Sequence, residues 1–268
     1  MEIEEKKFQD IIVTKEDGVC VITFNRPHRK NALGPRAMIE IGGALEDAAG
    51  DATIGAVVLA GAGESFCAGA DFEEAFGAML DITYEDFKKA IVTPMIKIYK
   101  LIDEMEKPVI AAIQGYAVGG GVDIPSVADI RIAADNARFG EFFVRNAICP
   151  EAALFFVPRQ MPLGKALLFS LTGDLMDAKE AERVGLVEMV VPLEQLMPTA
   201  MGLAKRFAHG PRLAQAVIKK MIRRALITNL DITLKSAFDE MYRLARSEDF
   251  KEIVQAFSEK RKPVYKGK

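Results

Sequence analysis

Lys107-Pro108-Val109-Ile110-Ala111-Ala112-Ile113-Gln114-Gly115-Tyr116-Ala117-Val118-Gly119-Gly120-Gly121-Val122-Asp123 leads from a continuous apolar run, through a triple glycine, to a helix start with a carboxylate in its first turn. The apolar part has the composition of a strand buried on both faces. Glycine at the junction removes every Cβ, so the backbone can approach a ligand closely with its amides bare. The first N–H groups of a helix are unpaired and carry partial positive charge, so an oxygen gaining negative charge would be stabilised there. The same glycine run also serves as a plain strand-to-helix turn, and taken alone the stretch allows both readings.

A second small-residue loop lies upstream. Ala56-Val57-Val58-Leu59-Ala60-Gly61 reads as another buried strand, followed by Gly61-Ala62-Gly63-Glu64-Ser65-Phe66-Cys67-Ala68-Gly69-Ala70-Asp71-Phe72. Two such loops, each after a buried strand, fit an α/β layout in which loops at strand ends make the site. Neither has the Gly-Lys-Ser/Thr element of a P-loop, and neither opens a clean βαβ dinucleotide unit, which sets nucleotide hydrolysis and hydride transfer aside.

Around these loops, residues 11–15 and 18–24 form β-rich runs joined at Glu16-Asp17-Gly18, a hairpin signal. The loop from Asn25 to Leu33 carries His28 and the cations Arg26, Arg29 and Lys30, which suit either a solvated loop or a phosphate clamp. Helices are expected over 35–49, with Pro35 in its first turn, and over 84–105. Ile130–Ala134 and Arg138–Gly140 are short strand-like pieces, and Glu141–Glu151 is a mostly apolar turn region ending in a carboxylate. From Leu163 the chain becomes helical, with apolar spacing of helical period over 213–226 and 232–245 and a final helix over 247–260. This predicts a core over residues 1–200 and a helical C-terminal region over 201–268. The strand–strand–helix rhythm of the first half hints at a spiral of similar units.

The 268 residues are 50% hydrophobic and 27% charged, enough for one sizeable core. A net charge of −3 leaves no electrostatic footprint for nucleic acid. No run of roughly 18 apolar residues suggests a membrane span. The charged start, Met1 to Lys7, argues against secretion, and Cys20, Cys67 and Cys149 form neither a disulfide framework nor a zinc spacing. A cytoplasmic protein is expected. His28 and His209 lie far apart, which disfavours metal and Ser–His chemistries.

Taken together, the stretches resemble the crotonase (enoyl-CoA hydratase/isomerase) superfamily over nearly the whole chain. The motifs are Asn25-Arg26-Pro27 with Asn31-Ala32-Leu33, Ser65 to Asp71, Gly115 to Gly121, Asp129 to Ala133, and Ala137 to Gly140. Leu171-Thr172-Gly173, Ala178 with Glu180-Ala181, Gly185-Leu186-Val187 and Phe257 to Pro263 complete them. The resemblance implies a ββα spiral core, a helical C-terminal region that mediates trimerisation, and often a dimer of trimers. It implies a coenzyme A thioester as substrate, with no metal and no separate cofactor. Family members hold the thioester carbonyl between two backbone amides, which fall here on Ala70 and Gly120, with Gly119 beside them. The adenine lies against the loop containing Ala68 and Asp71, next to Phe72. Arg26 and Arg29 become candidates for the phosphates, and Lys260 and Lys262 weaker ones.

The superfamily shares this anion site and varies its acid and base groups. A typical hydratase has one glutamate just after the triple glycine and a second in the segment after Phe-Gly. This chain has Asp123 at the first position and Phe143 at the second, with Glu141 nearby. The run from Phe139 to Glu151 resembles ring-opening phenylacetyl-CoA epoxide isomerases, which carry an acid after the equivalent proline. Dienoyl-CoA isomerases likewise pair an aspartate at the position of Asp123 with an acid at that of Glu151. The expectation is therefore proton abstraction and return by Glu151, assisted by Asp123. Apolar neighbours such as Phe142, Phe143, Leu154 and Phe155 should raise the Glu151 acid, while the helix start should keep Asp123 ionised. Double-bond isomerisation or atypical hydration leads. Ring hydration, thioester hydrolysis, decarboxylation and a non-catalytic acyl-CoA binder remain alternatives. Met79, Phe87, Phe142, Phe143 and Phe155 are the expected acyl-pocket side chains.

Overall fold

Asp17 and Gly18, both at positive φ, close the first hairpin between β1 (Ile11–Glu16) and β2 (Val19–Phe24). Positive φ at both central residues matches the right-handed twist of the two strands. The computed structural model describes residues 8–77 and 82–268; the charged start at 1–7 and the expected pocket residue Met79 lie outside them.

From this hairpin a six-stranded sheet grows by parallel pairing. Its order is β1, β2, β3 (Ala56–Gly61), β4 (Val109–Ile113), β6 (Ile130–Ala134) and β9 (Met189–Val191). A smaller sheet joins β5 (Tyr116–Val118), β7 (Arg138–Gly140) and β8 (Met176–Asp177). Helix α1 (Pro35–Gly50) follows the first hairpin. The short helix α2 (Tyr84–Phe87) widens through a π-turn at Lys88–Val92 into α3 (Thr93–Glu104).

Alternation along the central strands sorts side chains to two faces. Cys20, Ile22, Phe24, Val57, Leu59, Ala111 and Ile113 join the larger core, together with Met38, Ile41 and Leu45 of α1 and Ile98 and Ile102 of α3. Val19, Val21, Ala56, Val58, Ile110, Ala112 and Ile132 point the other way, onto Leu196, Ala200 and Ala204. Both faces being covered explains why the strands are continuously apolar.

After β5 comes α4 (Gly120–Val127), every residue of which is buried. The chain continues through α5 (Ala153–Gln160), α6 (Leu163–Thr172) and α7 (Ala178–Val184), and then α8 (Leu196–Ala208). The last three helices are α9 (Arg212–Ala225), α10 (Leu230–Leu244) and α11 (Glu248–Ser258).

One expectation needs correction. The region after Leu163 is not wholly helical, because β9 completes the main sheet beside β6. A strand of three residues is too short to display a period. Residue 200 lies inside α8, whose small apolar face packs directly on the sheet.

Ala204 is fully buried between α8 and the sheet. Ala204→Leu should overpack this contact and cost about 1–3 kcal/mol. Urea unfolding should show a lowered midpoint; an unchanged midpoint would mean that this layer is loosely packed.

Candidate active site

Leu33 and Ala70 pair as parallel neighbours: the Leu33 amide donates to the Gly69 carbonyl at 2.7 Å, and the Asp71 amide donates to the Leu33 carbonyl at 2.9 Å. A residue bridged through both of its neighbours turns its own N–H and C=O to the opposite side. The Ala70 amide is thereby directed away from Leu33. On the other flank, the Cys67 amide donates to the Tyr116 carbonyl at 3.0 Å and the Val118 amide to the Cys67 carbonyl at 2.9 Å. This ties the 65–72 loop to the strand that ends in the triple glycine.

Glycine is required where these segments meet. Gly69 has φ +84, and a Cβ there would lie 2.7 Å from the Val118 carbonyl oxygen and 3.3 Å from the Gly120 nitrogen. A Cβ on Gly121 would overlap the Cys67 carbonyl. Gly119, at φ +54, hands the chain from β5 to α4, and its amide donates to the Gly140 carbonyl at 2.9 Å. Gly120 is the first residue of α4, where amides have no partner within the helix. Ala70 and Gly120, whose amides these contacts orient, both line one cleft. Such a pair can hold an oxygen that gains negative charge.

Asn31 explains the Asn-Ala-Leu motif. Its side-chain amide donates to the Ala62 and Ser65 carbonyls at 2.9 and 2.8 Å, and its carbonyl oxygen accepts from the Arg26 amide at 2.9 Å. One buried side chain therefore holds the 61–72 loop against the 25–33 loop.

The cleft, of about 500 Å³, is lined by Ala68, Gly69, Ala70, Asp71 and Phe72 on one side and by Gly119, Gly120, Phe142 and Phe143 on the other, with Arg29 at its edge. Arg29 pairs with Glu73 at 2.8 Å and with Asp71 at 3.4 Å. Asp71 is buried and caps the following turn, accepting from the Glu73 and Glu74 amides. Arg26 is not a free phosphate ligand. It is buried, donates to the Ala32 carbonyl, and pairs with Asp71 and Glu74 at 3.2 and 2.5 Å. Lys260 lies two residues beyond α11 in the exposed tail and is not among the residues lining the cleft.

A cluster of acids lies further along α4 and on the segments near it, and none of its members is among the residues lining the cleft. Asp123, one turn into α4, is fully buried; its Oδ1 accepts the Ala153 amide at 2.6 Å, and its Oδ2 has no hydrogen-bond partner among the described residues. Burial pushes its acid up to about 7, against the pull of amides from the 151–153 turn. This corrects the expectation that the helix start keeps Asp123 ionised: desolvation in a fully enclosed helix outweighs the dipole. Glu141 is also fully buried, with neither oxygen partnered among the described residues, and burial together with the Asp123 charge pushes it up to about 9. Glu151 lies at the solvent-exposed rim, and neighbouring protein raises its acid by desolvation. Its Oε2 accepts a hydrogen bond from the Tyr99 hydroxyl at 2.8 Å. Leu154 and Phe155, expected to enclose Glu151, are exposed.

Tyr99 is the residue that sequence reasoning missed. It sits on α3 next to Ile98, four residues after buried Met95, so only its helical flank signalled that it faces inward. The cluster brings Asp123 and Glu151 together, as expected, and adds Glu141 and Tyr99 to them.

A chain-length comparison agrees with this architecture. Residues 14–268 match the family model described as enoyl-CoA hydratase/isomerase. The chain is 37% identical over 262 residues to a short-chain-enoyl-CoA hydratase of Clostridium acetobutylicum, covering 96% of this chain and 97% of that protein. It is 34% identical over 259 residues to a crotonyl-CoA hydratase of Syntrophomonas wolfei, covering 95% and 97%. Its fold superposes on an enoyl-CoA hydratase of Bacillus anthracis with a TM-score of 0.89 at 33% identity, covering 97% of this chain and all of that one. The chain belongs to the enoyl-CoA hydratase/isomerase family and has the crotonase-type α/β fold.

The buried acids make stability depend on pH. Glu141 would ionise near 4.5 when unfolded but near 9 when folded, so the folded state binds its proton more tightly. Stability from this group is intact below 4.5 and falls as pH rises towards 9. Asp123 acts with the same sign, but only up to about 7. Between pH 7 and 9 the Glu141→Gln variant should therefore lose less thermal stability than the parent, as read from unfolding midpoints.

Proposed function

We propose that this enzyme moves a carbon–carbon double bond within an acyl-coenzyme A thioester, with Glu151 carrying the proton. The observation behind this reading is Phe143. Its ring faces Gly119, lying 3.7 Å from where a Cβ on that residue would be, and lines the cleft beside the two amides. In the hydratases that the sequence resembles, this position bears the second glutamate that orients water. A phenyl ring cannot exchange a proton, so the two-carboxylate hydration arrangement is incomplete.

In the proposed reaction, a β,γ-unsaturated thioester binds with its carbonyl oxygen on the Ala70 and Gly120 amides. Glu151 takes a proton from the α-carbon, and the electrons delocalise through the double bond onto the thioester oxygen. The amides stabilise that charge in a dry site, an effect worth roughly 3–4 kcal/mol per donor in comparable enzymes. The protonated Glu151 then returns the proton to the γ-carbon, leaving an α,β-unsaturated product of the same composition. Asp123 assists by holding the 151–153 turn through the Ala153 amide. Arg29 is the cation available at the cleft edge for a coenzyme A phosphate, next to Ala68, Asp71 and Phe72. The reading requires no metal and no cofactor beyond the coenzyme A of the substrate, and it suits a cytoplasmic enzyme. Among the described residues no helix is long and apolar enough to cross a membrane.

Hydration of α,β-unsaturated thioesters is the second reading, favoured by the names of the relatives above. Incubating straight-chain β,γ- and α,β-unsaturated thioesters with the enzyme and separating the products distinguishes the two. Isomerisation is expected to dominate, and Glu151→Gln should lower kcat on the order of 10²–10⁴-fold. A variant that keeps near-parent turnover would remove Glu151 from the reaction.

We further propose a homotrimer or a dimer of trimers. Leu163, Leu167, Leu168 and Leu171 on α6, and Phe238 and Met241 on α10, leave more apolar surface exposed than an isolated chain usually presents. Light scattering coupled to size-exclusion chromatography should give a mass of three or six chains. A monomer would overturn this assembly.

A further inference from the structure

Asp123, Glu141, Glu151 and Tyr99 influence one another within one cluster, yet their oxygens are served very differently. Asp123 reaches an amide through one oxygen and nothing through the other. Neither oxygen of Glu141 has a partner among the described residues. Glu151 receives a side-chain hydroxyl: Tyr99, on α3, donates to its Oε2 at 2.8 Å. Three carboxyl groups at close quarters cannot all be ionised cheaply, and the charge settles where donors point.

We propose that Tyr99 is the positioning residue of the reaction, aiming the Glu151 carboxylate and selecting it as the acid of the cluster that carries the negative charge. This inference rests on the reading of Glu151 as the proton carrier and extends it. With Oε2 occupied by Tyr99, Oε1 is the oxygen that takes the proton from the α-carbon and gives it back at the γ-carbon. Because the hydroxyl is a donor, it favours the ionised Glu151 that begins the cycle, and it keeps the carboxyl plane fixed when the proton moves. Burial and the nearby Asp123 and Glu151 charges push the Tyr99 hydroxyl far above its ordinary value, so it remains a donor across the working range. Tyr99 from α3 and Asp123 from α4 face Glu151, while Glu141, from the segment after β7, acts on Asp123 and Tyr99. Removing Tyr99's donor therefore leaves Glu151 beside an acid with no compensating hydroxyl.

The test uses the full-length enzyme with Tyr99→Phe, Glu151→Gln and the double variant. It measures kcat and kcat/KM against pH with a β,γ-unsaturated thioester, the affinity for a saturated acyl-coenzyme A by calorimetry, and the thermal midpoint. Tyr99→Phe should lower kcat roughly tenfold or more, the usual size of a hydrogen bond to a charged group. The rise of activity with pH should move to higher pH, because an unaided Glu151 ionises later. Ligand affinity and the thermal midpoint should remain those of the parent, and Tyr99→Phe should have no further effect in the Glu151→Gln background. If Glu151→Gln is inactive while Tyr99→Phe keeps the parent's rate and pH profile, the positioning role is overturned and Glu151's role survives. A rate loss in Tyr99→Phe with an unmoved pH profile and a lowered thermal midpoint would mark Tyr99 as merely structural and equally overturn it. Near-parent turnover in Glu151→Gln would overturn the reading of Glu151 and this inference with it.

Discussion

The chain from Cys67 to Asp71 is hydrogen-bonded on both flanks, to Leu33 on one side and to the strand ending at Val118 on the other. That double pairing is the constraint on which the site depends. It sets which way the Ala70 amide points and how near it comes to Gly120. It is possible only because Gly69 and Gly121 have no Cβ at the crossing. Amides fixed in this way need no reorganisation when charge develops beside them, which is what makes backbone donors effective in a dry site. The supports reach outward from the crossing. Asn31 bonds both the Ala62 and the Ser65 carbonyls, and Arg26 with Asp71 locks the turn that follows Ala70.

The acids obey a different logic. Helix α4 gives Asp123 a favourable dipole, but it also encloses that side chain completely, and burial has the larger effect. Glu141 carries the same cost with no donor among the described residues. The cluster is thus graded by solvation and by hydrogen bonding, from the enclosed Glu141 to the rim residue Glu151 with its tyrosine partner. Such grading separates the proton affinities of neighbouring carboxyl groups, so that they do not all ionise together.

Local patterns were legible wherever a short stretch carries its own physics. Asp17-Gly18 specifies its turn through positive φ, the continuous apolar run Ala56–Gly61 is a strand over those very residues, and the triple glycine opens a helix at Gly120. Arg26 could not be placed from the sequence, because a cation in a loop has the same appearance whether it faces solvent or is buried against Asp71, Glu74 and the Ala32 carbonyl. The strand Met189–Val191 escaped because three residues show no period.

By itself, then, the sequence determined the family and the α/β class, and it singled out the two glycine loops and the acids Asp123 and Glu151, since each is written in neighbouring residues or in motifs held in order. Tertiary structure alone decided which amides meet, which acids lose water, and that Tyr99 reaches Glu151 across a separation of 52 residues. The physical reason is that charge and hydrogen bonding depend on the distance and burial of groups far apart along the chain. No local pattern records those quantities.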